Sequence, residues 1–347
     1  MTMFFRRMAI VFLSILCLTL CCSCKMTPTS DPSTEDLLVP NNASDFDYDT
    51  FEKDGKRAIR LIRYKGERTD VVIPDTIEGL PVRVLLGVTA QNDNGYTSVM
   101  QGVFEDTAIE SVYIPSSVSS LGLGTFAHCT KLEQVEFAKG CGITSLKSDF
   151  EGCTALTRVD LSPLTKLKRT YYSFKDCTSL KEIIFPEGMT IIDKGSFLNC
   201  SALQSLYLPD SLEKIVENAF EGCIGIESIS IGKNLRLFEP GFSAVIFNSP
   251  ALKHITFREG TESLDGYALV SITSPVSVEV PASVNVVSGN TFFNYNTMTI
   301  TFAGDCPKME SEKWLGDVIV RYNPDKMGWS NCDWSAKEGT LTLEPIK

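Results

Sequence analysis

Histidine is almost missing from this chain: its 347 residues hold two, His128 and His254. Neither stands at a recognisable spacing from a serine or cysteine nucleophile, and there is no G-x-S-x-G turn and no phosphate-binding loop. The sequence therefore gives no sign of an enzyme. Positive charge is short as well. Lys and Arg number 32 against 43 Asp and Glu, a net charge of −11. No basic stripe relieves that balance, and binding to phosphate backbones is driven by clustered Lys and Arg, so nucleic acid is not expected as a partner.

Long apolar runs are lacking too, with one exception. The opening "MTMFFRRMAIVFLSILCLTLCCSC" carries Arg6 and Arg7 and then an apolar stretch from Met8 to Cys22. Its length suits the core of a signal peptide and is too short to cross a bilayer comfortably. Ser23 directly precedes Cys24, and the segment resembles a bacterial lipobox. That resemblance implies cleavage before Cys24 and lipid on its thiol, hence an exported chain anchored at the bacterial outer membrane or cell surface. Cys22 is a weaker acceptor because Cys21 precedes it, and a plain secretory signal stays open. Loss of Arg6 and Arg7 takes the charge from −11 to −13. The following "CKMTPTSDPSTED" is polar and rich in Ser, Thr and Pro, as a flexible tether is.

What the chain has in quantity is repetition. An apolar-x-x-apolar-x-apolar signature begins at Ile109, Leu132, Leu156, Leu180, Leu203, Ile226, Leu252, Pro275 and Thr297, at intervals of 22 to 26 residues. A late aromatic recurs at Phe126, Phe150, Phe174, Phe197, Phe220, Phe247 and Phe292, and the first five are followed three residues later by Cys129, Cys153, Cys177, Cys200 and Cys223. In each unit the apolar residues at +3 and +5 have the period-2 pattern of a strand with one buried face. Pro115, Pro186, Pro209 and Pro281 stop the strand, since proline cannot donate to a ladder. A second apolar pair follows, as at Val118 and Leu121. The stretch ending in Phe and Cys then suits a short helical turn that brings the chain back. One such unit cannot bury its apolar side alone, so the units must stack.

Stacking sets equivalent residues about 4.7–4.9 Å apart and turns the Phe and Cys columns into internal ladders, roughly 40 Å long over nine coils. Small cysteine packs well there as an apolar residue. Metal binding would need ligands converging on one point, and the repeats hold no C-x-x-C pair, so no metal or cofactor is expected. A disulfide between coils is disfavoured by parallel side-chain vectors. In later coils Leu269 and Ile272 fill the Phe and Cys slots, an exchange that packing tolerates.

The pattern L-x-x-V-x-I-P, an apolar pair and A-F-x-x-C resembles the BspA-like leucine-rich repeats of bacterial surface proteins, over roughly Val71 to Trp334. The resemblance takes in "VVIPDTIEGLPV" at the start and "ITFAGDCPKM" with "VRYNPDKMGWSNCDW" at the end. It implies an α/β repeat solenoid, a curved right-handed coil with a parallel strand ladder and short helical or irregular returns. It also implies adhesion or ligand capture at the cell surface. Two coils depart from the pattern, one at "LSPLTKLKRTYY" and one lengthened by "SAVIFNSPA". The expected organisation is a signal peptide at 1–23, a lipidated tether at 24–45, an N-terminal cap and divergent first repeat at 46–108 with an insertion between Thr89 and Gln101, stacked repeats at 109–302, and a C-terminal cap at 303–347.

With +3 and +5 inward, +2 and +4 form outward rows. The +4 row reads Tyr113, Glu136, Asp160, Ile184, Tyr207, Ser230, Thr256, Glu279 and Thr301; the +2 row includes Arg158, Glu182, Ser205, Ser228, His254 and Ser277. Tyr113, Ile184 and Tyr207, beside Glu136, Asp160 and Glu182, form a candidate surface for a protein ligand, although Tyr and Ile are also simply good strand formers. Asp160 and Glu182 as glycosidase carboxylates are disfavoured, because a solenoid face offers little burial to raise a pKa. Trp314, Trp329 and Trp334 lie together in the C-terminal cap, as a sugar platform for a glycan-capture protein or as a plug over the last coil. Cys306 and Cys332, outside the ladder in an exported chain, are candidates for a disulfide. A monomer is expected.

Overall fold

The computed structural model describes residues 38–91, 97–235, 249–264, 272, 275–287, 297–310, 317–332, 334 and 339–346. The leader, Cys24, most of the tether, Leu269, Phe247, Phe292 and Trp314 lie outside them, as does most of the lengthened segment at 243–251. Chain contacts separate residues 1–39 from a compact unit at 40–347. That unit opens with an antiparallel hairpin, Phe46–Lys53 on Lys56–Tyr64. Asp54 and Gly55 take φ of 53° and 72°, the paired positive values of a two-residue hairpin turn. The insertion forms a second hairpin, Val88–Gln91 with Thr97–Gln101.

From there the chain coils, and its strands stack in two parallel ladders. The main ladder runs Asp70–Val72, Ser111–Ile114, Gln134–Phe137, then Arg158–Asp160 and Glu182–Ile184, then Ser205–Tyr207, Ser228–Ile231, His254–Phe257, Val276–Val280, Met298–Phe302, Val318–Tyr322 and Leu341–Pro345. Register is uniform: Val112 faces Val135, Val159 faces Ile183, Leu206 faces Ile229 and Ile255 faces Val278. These are the +3 residues; all but the half-buried Val135 are buried, as period 2 requires. A second ladder carries Leu80–Leu85, Ser120–Leu121, Ser145–Lys147, Arg169–Tyr171, Ile191–Ile192 and Lys214–Ile215, and resumes at Ser263–Leu264, Val286–Val287 and Lys308–Met309.

Of the helical or irregular returns expected, the described ones are irregular, which corrects the short helical turn read at the Phe and Cys stretch. Among the described residues the helical segments are two 3-10 turns, Ala43–Asp45 and Trp329–Asn331, and no helix is long and apolar enough to cross a membrane. The architecture is a β-solenoid rather than α/β. The cause is where the backbone hydrogen bonds go. Phe126 N donates to Asp149 O at 2.8 Å and His128 N to Glu151 O at 2.7 Å, so return amides are spent on the next coil instead of four residues back. The residue two after each Phe is left-handed: φ is 56° at His128, 72° at Gly152, 60° at Asp176, 64° at Asn199 and 76° at Gly222. Gly, Asn, Asp and His are the residues that tolerate this conformation, and it ends any helix. His128 is thus a turn residue.

The phenylalanine column is a stack of rings. Centroids of Phe104, Phe126, Phe150, Phe174, Phe197 and Phe220 are 5.0 to 5.3 Å apart in succession, with interplanar angles of 6° to 14°. Tyr64 and Phe46 continue it into the N-terminal hairpin. The cysteines do more than fill space. Each thiol donates to the carbonyl of the phenylalanine in the preceding coil: Cys129 to Phe104 O at 2.9 Å, Cys153 to Phe126 at 3.2 Å, and Cys177, Cys200 and Cys223 to Phe150, Phe174 and Phe197 at 3.0 Å. Burial pushes the Cys129 thiol up to about 11 and raises Cys153, Cys177 and Cys200 as well, which keeps them protonated as donors. At the far end Trp329 and Trp334 are buried against Phe302, and Trp329 Nε1 donates to Gly304 O at 3.1 Å. Those two rings are a plug and cannot stack on a sugar.

Candidate functional site

The outward rows of the main ladder are where the sequence places candidate contacts. Tyr113 faces Glu136 in register on the first pair of coils, with Glu136 exposed and Tyr113 half-buried. Asp160 faces Ile184, both half-buried, and Asp160 Oδ1 accepts from Ser162 N at 2.9 Å. Glu182 is held by Arg158 Nε at 3.0 Å, an exposed ion pair that neutralises it. Tyr207 is 56% exposed, while Tyr113 and Ile184 are half-buried. Its coil follows that of Ile184 directly, with Gln204 N donating to Lys181 O at 3.2 Å. The structure therefore gathers Asp160, Glu182, Ile184 and Tyr207 on consecutive coils. Tyr113 stands four coils from Tyr207, roughly 19 Å at the strand spacing, and does not share a small ligand with it.

On the other side of Tyr207 lies a shallow depression of about 310 Å³ lined by Ser205, Tyr207, Ser228, Ser230, His254 and Thr256 over the buried Leu206 and Ile229. It exists because the outward positions of these coils carry small hydroxyl side chains next to a large ring. His254 Nδ1 meets Ser277 Oγ at 2.7 Å at its far edge, and Thr256 Oγ1 donates to Glu279 at 3.3 Å. His254 is thus a polar member of a hydroxyl row.

The residue that sequence reasoning missed is Arg258. Its guanidinium lies over the Tyr207 ring, 4.2 Å from the centroid, donates to the Tyr207 hydroxyl and to Leu208 O, and pairs with Asp210 at 2.8 Å. Tyr207 is therefore exposed and fixed at once. Nothing local in "TFREG" signals this, because the contact skips a whole coil. Cys306 and Cys332 stand half-buried in the closing segment. No group of three or more His, Cys, Asp or Glu converges as a metal site among the described residues.

A family model described as the BspA type leucine rich repeat region, in six copies, matches residues 97–227 and 202–314, together well over half the chain. Among solved structures, the chain is similar to a leucine-rich repeat protein of T. pallidum, at 23% identity over 69% of this chain and 86% of that one, with a TM-score of 0.41. A leucine-rich cell surface protein from Faecalibacterium prausnitzii aligns at 16% identity over 88% of this chain and 95% of that one, TM-score 0.41. The pneumococcal vaccine antigen PcpA aligns at 14% identity over 89% and 98%, TM-score 0.41. No curated protein matches the chain in sequence. The stacked strands, the Phe and Cys columns and the matched repeats together place this chain in the family of BspA-type leucine-rich repeat proteins.

Proposed function

We propose that the chain is a non-catalytic binding protein, displayed at the bacterial surface by a lipid on Cys24, that holds a protein partner on the outward rows of its main ladder. Tyr207 is the anchor; Asp160, Glu182 and Ile184 on the preceding coils extend the contact, and Tyr113 with Glu136 forms a more distant part of it. The observation that carries this reading is the pre-set Tyr207 ring. A large side chain, 56% exposed yet locked from one side by Arg258, loses little freedom on binding, which is what favours tyrosine as an interface anchor. A glycan-capture reading based on the C-terminal tryptophans loses Trp329 and Trp334 to the plug.

The test is a side-by-side screen of the purified protein on an array of extracellular-matrix and plasma proteins and on a glycan array, with the Tyr113→Ala, Ile184→Ala, Tyr207→Ala triple variant as comparison. The expected result is a protein signal, weakened by salt, that drops at least tenfold in the variant. Signals on glycans alone, or a protein signal indifferent to the three substitutions, would overturn it.

A further inference from the structure

The second ladder carries a cationic, tyrosine-bearing face that the proposed function does not use. We infer that this face, built on Ser145–Lys147, Arg169–Tyr171, Ile191–Ile192 and Lys214–Ile215, is a docking surface for an extended anionic polysaccharide bearing carboxylate or sulfate groups. The source is the segment where the repeat spacing slips. "LTKLKRTYYSFK" carries four cations, Lys166, Lys168, Arg169 and Lys175, and no acid, in a chain whose net charge is −11.

The strands put those side chains outside. Arg169 and Tyr171 are exposed on either side of the buried Thr170, and Lys147, exposed, is in register beside Tyr171. Ser145, Arg169, Ile191 and Lys214 form a second register row. Of the four cations, Arg169 is paired with Asp193 and Lys175 with Glu151, and Lys194 likewise holds Glu217, so the charge of the face comes from the lysines that remain. Lys147, Lys166 and Lys168 form no ion pair among the described residues, and Lys168 Nζ donates to the Gly188 carbonyl at 2.9 Å, which keeps its charge on the face. Glu187 and Glu213 are exposed nearby and do not cancel the surplus.

A second, independent observation concerns Tyr172. The position two before each of Phe126, Phe150, Phe174, Phe197 and Phe220 is left-handed, and its other occupants are Gly124, Ser148, Gly195 and Asn218; here it is a tyrosine at φ 48°. A bulky aromatic in that conformation is strained, and such strain persists where the surroundings enforce it and concentrates at functional sites. Tyr172 packs over Gly195, where an added Cβ would come within 2.5 Å of its ring carbons, and meets Tyr171 edge-on at 4.7 Å and 86°. The result is a propped aromatic pair with Tyr171 41% exposed among lysines.

The chemistry of the face selects the partner. Arg169 and Lys214 stand two strands apart in one register row and Lys147 stands in the row alongside, so the face can meet spaced charges of an extended polymer, and a tyrosine face accepts a sugar ring. A globular protein partner would need an apolar interface core, and a membrane would need side chains to insert; the exposed apolar side chains described on this side are Tyr171 and Leu123.

The test is retention of the purified protein on immobilised heparin and polygalacturonate at low salt, with dextran as the neutral polymer and vesicles containing phosphatidylglycerol as the anionic lipid surface. The wild type is expected to bind both acidic polymers and to be released by moderate salt. Lys147→Gln, Lys166→Gln and Lys168→Gln together are expected to weaken binding at least tenfold, and Tyr171→Ala several-fold, with melting temperatures close to the wild type. Tyr207→Ala, on the other ladder, is expected to leave the affinity unchanged. Failure of the wild type to bind, equal binding to dextran or to the vesicles, insensitivity to the lysine variant, or loss of binding in Tyr207→Ala would each overturn the inference. The Tyr207 control separates it from the proposed protein-binding role of the main ladder.

Discussion

The Arg258 guanidinium stacks 4.2 Å from the centroid of the Tyr207 ring although the two residues are 51 positions apart and one entire coil intervenes. The coil between makes room for it. A Cβ on Gly232 would come 2.8 Å from Arg258 Nη2 and 2.3 Å from Pro209 O. Glycine there is a condition of close approach, and the small Ser230 in the same coil leaves the space beside the ring open.

Arg258→Ala is expected to remove the stacking and the Asp210 pair together, a loss of about 1–3 kcal/mol with part of the pair screened by solvent. Arg258→Lys is expected to recover little, because an ammonium lacks the flat fork that lies on the ring. Gly232→Ala meets backbone at Pro209 and is expected to cost at least as much. Melting temperature measures the loss. Nitration of Tyr207 measures the geometry: the ring is expected to react faster once Arg258 is gone, and an unchanged rate would mean that the arginine does not hold it.

The thiol ladder makes a different prediction. Phe150 O accepts from Cys153 N within its own coil and from Cys177 Sγ of the next, so the cysteine ties one coil to another. Cys177→Ala is expected to cost roughly 1–3 kcal/mol, from a lost donor plus a small cavity, and Cys177→Ser less, since a hydroxyl still donates. Because burial raises these thiols, the thiolate is scarce at pH 8. In native protein treated with a mild reductant, iodoacetamide at that pH is expected to label the half-buried Cys332 well before Cys177 and Cys200, with mass spectrometry reading each site. Equal labelling rates would contradict the buried, donating thiol.

Much of this was legible beforehand. The 22- to 26-residue intervals and the inward +3 and +5 positions place the buried pairs from Val112 and Ile114 to Ile300 and Phe302, with Val135 alone half-buried, because a period of two on a stacked coil admits one register. Between helical and irregular returns the sequence holds a deciding signal: His128, Gly152, Asp176, Asn199 and Gly222 are all residues that accept a left-handed turn. Cysteine was read as a small apolar filler, and its donor role depends on a carbonyl some two dozen residues away. Arg258 leaves no local trace at all. Contacts that skip a coil depend on which small residue lies between, and a one-coil pattern does not encode that.

Asp149 occupies a slot that other coils give to a hydroxyl or to alanine: Thr125, Ser173, Ser196 and Ala219 precede their phenylalanines at the same place. Lys147 N donates to Asp149 Oδ2 at 2.6 Å, the counterpart of Tyr171 N to Ser173 Oγ at 3.1 Å, while Oδ1 is buried without a partner. Burial raises its pKa from 3.8 to about 7, against the opposing pull of hydrogen bonds from Lys147 N and Thr125. The folded state therefore favours the neutral acid. The stability this contributes is fully present below the ordinary carboxylate value and is lost as pH rises towards 7. The melting temperature of the wild type is expected to fall between pH 5 and pH 8. Asp149→Ser, which restores the bond made in the next coil, is expected to flatten that slope and to gain on the wild type at pH 8. At about 1.4 kcal/mol per pKa unit the gain is at most on the order of 4 kcal/mol, less whatever cavity the smaller side chain leaves. Parallel slopes for the two proteins would show that another group governs the pH dependence.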